Sequence, residues 1–499
     1  MKRFCYVLAI SLLINFNLTG QEMTGIAGSN YAGILGIGIN PSMITGSKLY
    51  MDFHLISGNV LVENDWAYWT WSDMAGYLKN GEYPDYFTVA GEERDFTIYR
   101  DQSGRSGYLS GKILGPSGMV VHGRHAFGVT TAFRTVTSFK NMWYDAALFL
   151  YEGLDYRPLQ QIPFTHDNRM SLAALSWFEA GFSYAFNFHR YRWDSWSAGI
   201  TIKPLFGGSG MSVFIDNVDY YVHNDDSASV YSADFRYSYA MPLDSRISQL
   251  IWPTFSKGYG FSVDVGITFW KTAVGHSLMS FSRICEPRFE PYNYKIGISL
   301  LDLGFIRFSE NAESFTYTDA YTEYYDPWDT LPGKTIAEIN TKIEYYFPTA
   351  VFKPEVNNTF SMNLPTVLSI QGDYHIRYEW YIQGLIYQPL AFSKNSISRP
   401  FVAVFAPRYE TARMETSFPV TIFGYKFNKV MAGISFRYEN FFVGTDNLLA
   451  LAGLVDFSGF NLHAGIRLNL SGTLRMNYLK GLCNPARYRN IETFDYRNF

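Results

Sequence analysis

Phe460-Asn461-Leu462-His463-Ala464-Gly465-Ile466-Arg467-Leu468-Asn469-Leu470 alternates apolar and polar residues one by one, and this stretch decides the fold. Phe261-Ser262-Val263-Asp264-Val265-Gly266-Ile267-Thr268-Phe269 repeats the pattern, as does Phe178-Glu179-Ala180-Gly181-Phe182-Ser183-Tyr184-Ala185-Phe186-Asn187-Phe188. Successive side chains of a strand point to opposite faces, so each stretch has one greasy face and one wet face. A soluble sandwich turns the greasy face inward. A transmembrane barrel turns it out to lipid and the wet face in to a lumen. Periodicity alone does not separate the two; the N-terminus and the composition do.

Residues 1–20 read as a secretory signal. Lys2 and Arg3 form the charged start, Tyr6 to Ile14 the apolar run, and Leu18-Thr19-Gly20 the cleavage site before Gln21. The apolar run is too short to span a bilayer, and no later stretch has the length of a membrane helix. An exported chain without helical spans is still integral if it is a barrel. Aromatic residues make up 18% of the chain, with 38 Tyr, 41 Phe and 11 Trp, which suits a lipid-facing surface with aromatic girdles. A net charge of −4 excludes a nucleic-acid surface. After signal removal only Cys285 and Cys483 remain, read as free thiols rather than a disulfide.

The expectation is therefore an all-β chain, an antiparallel transmembrane β-barrel of about fourteen strands (twelve to sixteen as bounds), located in the cell outer membrane. Residues 1–20 are the signal peptide, 21–47 an N-terminal lead-in, plug or hatch, 48–471 the barrel, and 472–499 a polar tail. Sixteen strand-like stretches can be marked, among them Trp193–Leu205, Met211–Val222, Tyr292–Leu303, Gly304–Thr316, Thr359–Gln371 and Tyr374–Gln388. Tight joints fall near Gly123-Arg124-His125, at Tyr191-Arg192 and at Gly372-Asp373. Long joints span Glu63–Gly115, Lys140–Leu175, Thr272–Pro291 and Asp319–Asn358, with short helices at Asn141–Leu159 and Thr335–Tyr346. Short turns on one rim and long loops on the other are expected of such barrels.

Enzymatic constellations are missing: there is no His-Glu-x-x-His, Cys-x-x-Cys, phosphate-binding loop or Gly-x-Ser-x-Gly elbow. No cofactor, metal or catalytic residue is assigned. His122 and His125, three apart in extended chain, are read as lying on opposite faces and not as a metal pair. Asn224-Asp225-Asp226 reads as a solvated hairpin tip in preference to a Ca²⁺ loop, and Asp446-Asn447 as a cap for the turn Leu448–Leu451. The candidate lumen-facing residues are Glu179, Lys203, Asp264, Lys295, Arg377, Glu379, Arg437 and Arg467. Both signs occur, so pairing across the lumen is favoured over a charge-selective pore. Ile466, Leu468, Phe182, Phe186, Ile434 and Val265 are expected to face lipid.

Several phrases carry a family resemblance: Gly115-Pro116-Ser117, His125-Ala126-Phe127-Gly128-Val129-Thr130-Thr131, Gly297-Ile298-Ser299-Leu300-Leu301-Asp302-Leu303-Gly304, Leu364-Pro365-Thr366, Asp373-Tyr374-His375, Pro407-Arg408-Tyr409 and Phe442-Val443-Gly444-Thr445-Asp446-Asn447-Leu448-Leu449. Together, from about Gly28 to Leu470, the chain resembles an uncharacterised family of Bacteroidetes outer-membrane barrels, a domain of unknown function. The Asn40-Pro41-Ser42 lead-in is distantly similar to the long-chain fatty-acid transporter superfamily and the barrel component of type IX secretion. The tail after Gly472 departs from the family pattern. The resemblance implies location and fold, and no substrate.

Two functions compete. One is passive transport or binding of small, hydrophobic molecules, with Asn30, Asn40 and Pro41 in a hatch and outer-membrane lipid around the barrel. The other is a non-transporting scaffold for a surface or secretion partner protein.

Overall fold

A computed structural model describes residues 23–468, apart from 50, 72–75, 77–95, 155, 226, 242–256, 274–291, 326–334, 392–396 and 427–428. The expected signal, the tail 472–499, Cys285 and Cys483 lie outside the described residues.

Fourteen antiparallel strands close into one barrel. In chain order they are β1 (Met51–Asn64), β2 (Arg105–Leu114 and Ser117–His122), β3 (His125–Met142), β4 (Pro163–His166 and Met170–Tyr191), β5 (Asp194–Val222), β6 (Ala228–Ala240 and Gly258–Thr272) and β7 (Tyr292–Phe308 and Ala312–Tyr325). They continue as β8 (Glu355–Asn357, Phe360–Asn363 and Val367–Arg377), β9 (Trp380–Pro389), β10 (Phe401–Glu410), β11 (Met414–Ser417 and Val420–Gly424), β12 (Lys429–Ala432 and Ile434–Tyr438), β13 (Phe441–Thr445) and β14 (Gly459–Leu468). β1 pairs with β14 from Phe53↔Leu468 to Glu63↔Gly459, and this closes the sheet.

One rim carries two-residue turns. Gly123, Arg192, Tyr378 and Glu439 adopt the left-handed backbone there, as tight hairpins require. The start of β1 and the end of β14 sit on this rim. The opposite rim carries two helices, Tyr144–Glu152 and Ile336–Tyr346, and most of the longer connections, but against expectation the long joint from Thr272 to Tyr292 belongs to the turn rim. The second helix starts on a reciprocal capping box between Thr335 and Glu338.

Several sequence expectations need correction. Gly372-Asp373 is no turn; it lies inside β8, and the chain turns at Tyr378-Glu379. Arg105–Leu114 is a strand within what read as a long joint. Trp193–Leu205 and Met211–Val222 are parts of one strand, because Gly208 is an extra residue where the β4 partner steps from Ser176 to Trp177. Tyr292–Leu303 likewise runs on unbroken to Phe308, across a bulge where Asp264 faces both Leu301 and Asp302. A bulge inserts one residue and flips the alternation, so one strand reads as two. His122 and His125 are register partners across the Gly123-Arg124 turn, not on opposite faces. Asn447 precedes the turn Leu448–Leu451, but its side chain does not cap it.

The outer face is apolar. Phe182, Val265, Ile202, Ile296, Ile466 and Leu468 are exposed, while Ser183, Asp264, Thr201 and Arg467, their polar neighbours in the chain, are buried. Phe186 and Ile434 are half-exposed on the same face. Tyr191, Trp193, Tyr378, Trp380, Tyr438 and Phe441 are exposed beside the short turns, where an aromatic girdle meets the membrane interface.

Lipid contact and water contact give different outcomes for the same substitution. Val265→Arg at mid-wall should cost about 2–4 kcal/mol in urea unfolding of the barrel in bilayers. Tyr231, more exposed at 60% against 41%, lies near the far end of the loop-side extension, and Tyr231→Arg should change stability by no more than about 0.5 kcal/mol. Equal effects would contradict the lipid-facing assignment.

Candidate functional site

The lumen is the site, and two different materials fill it. Its turn-side half holds residues 23–49, nearly all buried. They form three short helical turns, Thr24–Ala27, Gly33–Gly38 and Pro41–Gly46. A segment this rich in glycine and isoleucine cannot hold a long helix, so it settles by bonding to the wall.

Asn40 makes the densest set of bonds. Its amide nitrogen lies 3.2 Å from the Ile267 carbonyl, 3.3 Å from that of Ile298 and 3.0 Å from Gln371 Oε1. Its oxygen accepts from the Ser42 backbone and hydroxyl at 3.0 and 2.7 Å. That bond caps the turn that Pro41 opens from its first position. Ser42 then meets Thr268 at 2.6 Å and Thr45 meets Ser197 at 2.8 Å. The wall is bare where this turn docks. A Cβ on Gly199 would stand 2.5 Å from Ser42 N and 2.6 Å from the Pro41 carbonyl carbon, and one on Gly266 would stand 2.2 Å from Asn40 Oδ1.

Asn30 and Lys48 tie the other end to charges. Asn30 accepts from Lys295 Nζ at 2.6 Å and donates to Tyr292 Oη at 2.9 Å. Arg408 bridges Asp373 at 2.7 Å and Glu410 at 2.9 Å, and Glu410 takes Lys48 at 2.8 Å. Burial disfavours a charge on Lys48, but Glu410 outweighs it and raises the Lys48 pKa above that of ordinary lysine. Arg437 pairs with Glu415 at 2.9 Å and lies over the Tyr31 ring, while Arg467 donates to the Tyr31 carbonyl.

A second ionic cluster crosses the bore at mid-height. Arg134 sets both terminal nitrogens 2.8 Å from the Asp302 carboxylate, reaches Glu179 at 3.4 Å and covers the Trp177 ring. Lys203 lies 2.7 Å from Asp264 and 2.9 Å from Asp302. Asp302 takes a positive φ at the bulge, where its own N–H donates to Asp264 Oδ1 at 2.7 Å. Between this cluster and the plug lies about 50 Å³ open to water, lined by Leu35, Ile37, Lys112, Thr130, Glu179 and Lys203. That is room for a few waters and not for an organic ligand.

Above the cluster, toward the long loops, the bore is apolar. Leu61, Leu175, Phe308, Met362, Leu385 and Tyr387 are buried there. A polar lumen throughout was the expectation, and it fails in this half. The runs Leu385-Ile386-Tyr387 and Val402-Ala403-Val404-Phe405-Ala406, apolar on both faces, were the legible signal.

Glu179, Lys203, Asp264, Lys295, Arg437 and Arg467 are buried inside the wall. Arg377 and Glu379 are not: both are exposed at the β8–β9 turn. Sequence reading missed Arg134, Asp302, Asp373, Arg408 and Glu410. Three phrases quoted for the family resemblance contain members of this set: Leu301-Asp302-Leu303, Asp373-Tyr374-His375 and Pro407-Arg408-Tyr409. Asn224 Oδ1 accepts from Ser227 N and Oγ at 2.9 Å and so closes its own turn. Among the described residues no group of three His, Cys, Asp or Glu side chains could hold a metal ion.

Breaking a buried pair leaves a charge uncompensated. Arg134→Met should therefore lower barrel stability by about 3–5 kcal/mol. Arg377→Met, at the rim, should change it by about 1 kcal/mol or less. Urea titration of tryptophan fluorescence in detergent or bilayer reads both, and similar effects would contradict the assignment of the cluster.

No curated protein matches the chain. In shape it is similar to a deletion mutant of the TodX monoaromatic hydrocarbon channel, at 8% identity and a TM-score of 0.41, over 91% of this chain and 99% of that one. It is similar to the CymD monoaromatic hydrocarbon channel at 8% identity and 0.32, over 91% and 97%. A FadL homologue of Pseudomonas aeruginosa follows at 11% identity and 0.27, over 90% and 97%. Identities and scores this low carry nothing about what this chain binds. A family model matches residues 41–446, from the plug's last turn to the end of β13, and the chain belongs to that family, described as a family of unknown function (DUF5723).

Proposed function

We propose that this protein is an outer-membrane barrel that takes up small apolar molecules into the loop-side half of its lumen and passes them when residues 25–42 move as a hatch. In this reading residues 1–20 direct export and are cleaved after Gly20. The observation that carries the proposal is the division of the bore: an apolar half toward the loops, then a charged layer, then a docked plug. A solid barrel tolerates an apolar upper half, because close apolar packing fills a core. A conduit for apolar solutes does need one, because such solutes gain about 25 cal/mol per Å² on leaving water. The plug is held by hydrogen bonds and ion pairs to the wall, and its apolar contacts are with its own turns and the bore, so it can undock without unpairing a strand.

Deleting residues 25–42 should leave barrel yield intact and make proteoliposomes permeable to a small apolar dye. Normal yield with unchanged permeability would sink the hatch and leave the scaffold reading ahead. Gly199→Ala is the gentler test. Its methyl group meets the Pro41–Ser42 backbone, so the same dye should leak through a barrel that is otherwise normal. A tight Gly199→Ala barrel would show that this docking contact does not hold the hatch.

A further inference from the structure

Two bonds fasten the middle of the plug to the seam where the barrel closes. The Ile34 N–H donates to Asp52 Oδ2 of β1 at 3.0 Å, and Arg467 of β14 donates to the Tyr31 carbonyl. The fit is close: a Cβ on Gly33 would stand 2.2 Å from Asp52 Oδ2. This fastening differs in kind from the one at Asn40. The Asn40 side chain bonds to the Ile267 and Ile298 carbonyls, Gln371 and Ser42, none of which titrates. The fastening at Tyr31 and Ile34 depends on a carboxylate and a guanidinium.

His54 stands between these two groups. It lies two residues from Asp52 on the inner face of β1, and it is the direct register partner of Arg467 across the closing seam. It is 0% exposed, and neither ring nitrogen has a hydrogen-bond partner among the described residues. Asp52 Oδ1 and Arg467 Nε and Nη2 are buried without partners as well. On its other sides His54 meets the Phe442 ring of β13, 6.1 Å away, and Ser117, its register partner on β2. Beyond Arg467 come the Arg437–Glu415 pair of β12 and β11 and the Tyr31 ring beneath Arg437. His463, also buried, sits two inner positions higher on β14 and reaches Ser435 at 3.1 Å. A proton on His54 in this packing would be a further cation directly opposite Arg467, with no acceptor in place for it.

We propose that His54 is a proton-binding site that releases the Tyr31–Ile34 part of the plug from β1 and β14 when the surroundings turn acidic. A proton on His54 acts on both fastenings at once. It repels the Arg467 guanidinium, which holds Tyr31, and it draws the Asp52 carboxylate, which holds Ile34. The turn at Asn40 keeps its neutral bonds, so the plug stays tethered and only its middle leaves the wall. The sign follows from where the proton fits. Docked, the site offers it no partner; released, the imidazole meets water and takes up a proton below about pH 6.5. Docking is therefore complete at neutral pH and weakens as the pH falls. This holds whether or not the plug is a hatch, because it concerns docking and its test measures no permeation.

The test is hydrogen–deuterium exchange of the full protein in lipid bilayers at about pH 7.5 and about pH 5, read at each pH against His54→Phe so that the intrinsic effect of pH on exchange cancels. At the higher pH the peptide containing Tyr31 to Ile34 should exchange alike in both proteins. At the lower pH it should exchange up to about thirtyfold faster in the unmodified protein, the factor by which a group that titrates at about 6.5 only when released shifts docking over that interval. The peptide containing Asn40 to Ser42 and the wall strands should not respond. Equal rates at the lower pH would overturn the proposal. So would a matching rise in Asn40–Ser42 and the strands, which means that the whole barrel loosens, or loss of the response in His463→Phe with His54 in place. If His54→Phe yields no folded barrel, the neutral and polar His54→Asn takes its place and decides by the same readings.

Discussion

Each wall strand has one face in hydrocarbon, and that constraint governs everything inside. Phe182, Ile202, Val265 and Ile296 occupy the outer positions, so the charges at inner mid-wall positions, such as Glu179, Lys203 and Asp264, must find their partners in the bore. A charge in a low-dielectric interior persists only if it is paired and hydrogen-bonded. The bore answers with two ionic clusters. One, centred on Asp302, crosses from β3 to β7. The other, centred on Arg408, runs through Glu410 to Lys48 of the plug. The plug is therefore part of the charge balance of the wall, and its removal leaves polar groups to be met by water.

The same constraint explains the division of the lumen. The lower half binds the plug with donors and acceptors, and the wall gives up side chains at Gly199 and Gly266 where Asn40-Pro41-Ser42 comes closest. The upper half has no such partner and is lined with Leu, Phe, Met and Tyr. These side chains are almost fully buried in one apolar cluster, so the upper half is packed in the resting protein.

Much of this was legible in the sequence. Alternation in Phe261–Phe269 and Phe460–Leu470 gave the strands and their lipid face, and the buried positions of Glu179, Lys203 and Arg467 followed from parity. Parity failed where a bulge intervened. Gly208 and Asp302 each add a residue, so strands appeared split and Asp302 was not seen as the centre of a cluster. Arg377 and Glu379 were misplaced for a simpler reason: the turn lies at Tyr378-Glu379, six residues beyond the glycine that suggested it. Partnership across the bore, such as Arg134 with Asp302 or Asn30 with Lys295, joins residues far apart in the chain. No local pattern encodes it. The apolar upper half was written in runs such as Val402–Ala406, greasy on both faces, which alternation reading passes over.

The central claim is that residues 23–47 are seated in the bore and bonded to its wall in the resting protein. Hydrogen–deuterium exchange of the full chain in lipid bilayers tests it most directly, because amide exchange reports local opening and not merely average position. The account predicts that the amides of Ile34, Ser42 and their neighbours exchange as slowly as those of the wall strands, since Ile34 N–H is held by Asp52 and Ser42 N–H by Asn40. Exchange of this segment at the rate of an exposed peptide, with the strands still protected, would contradict it.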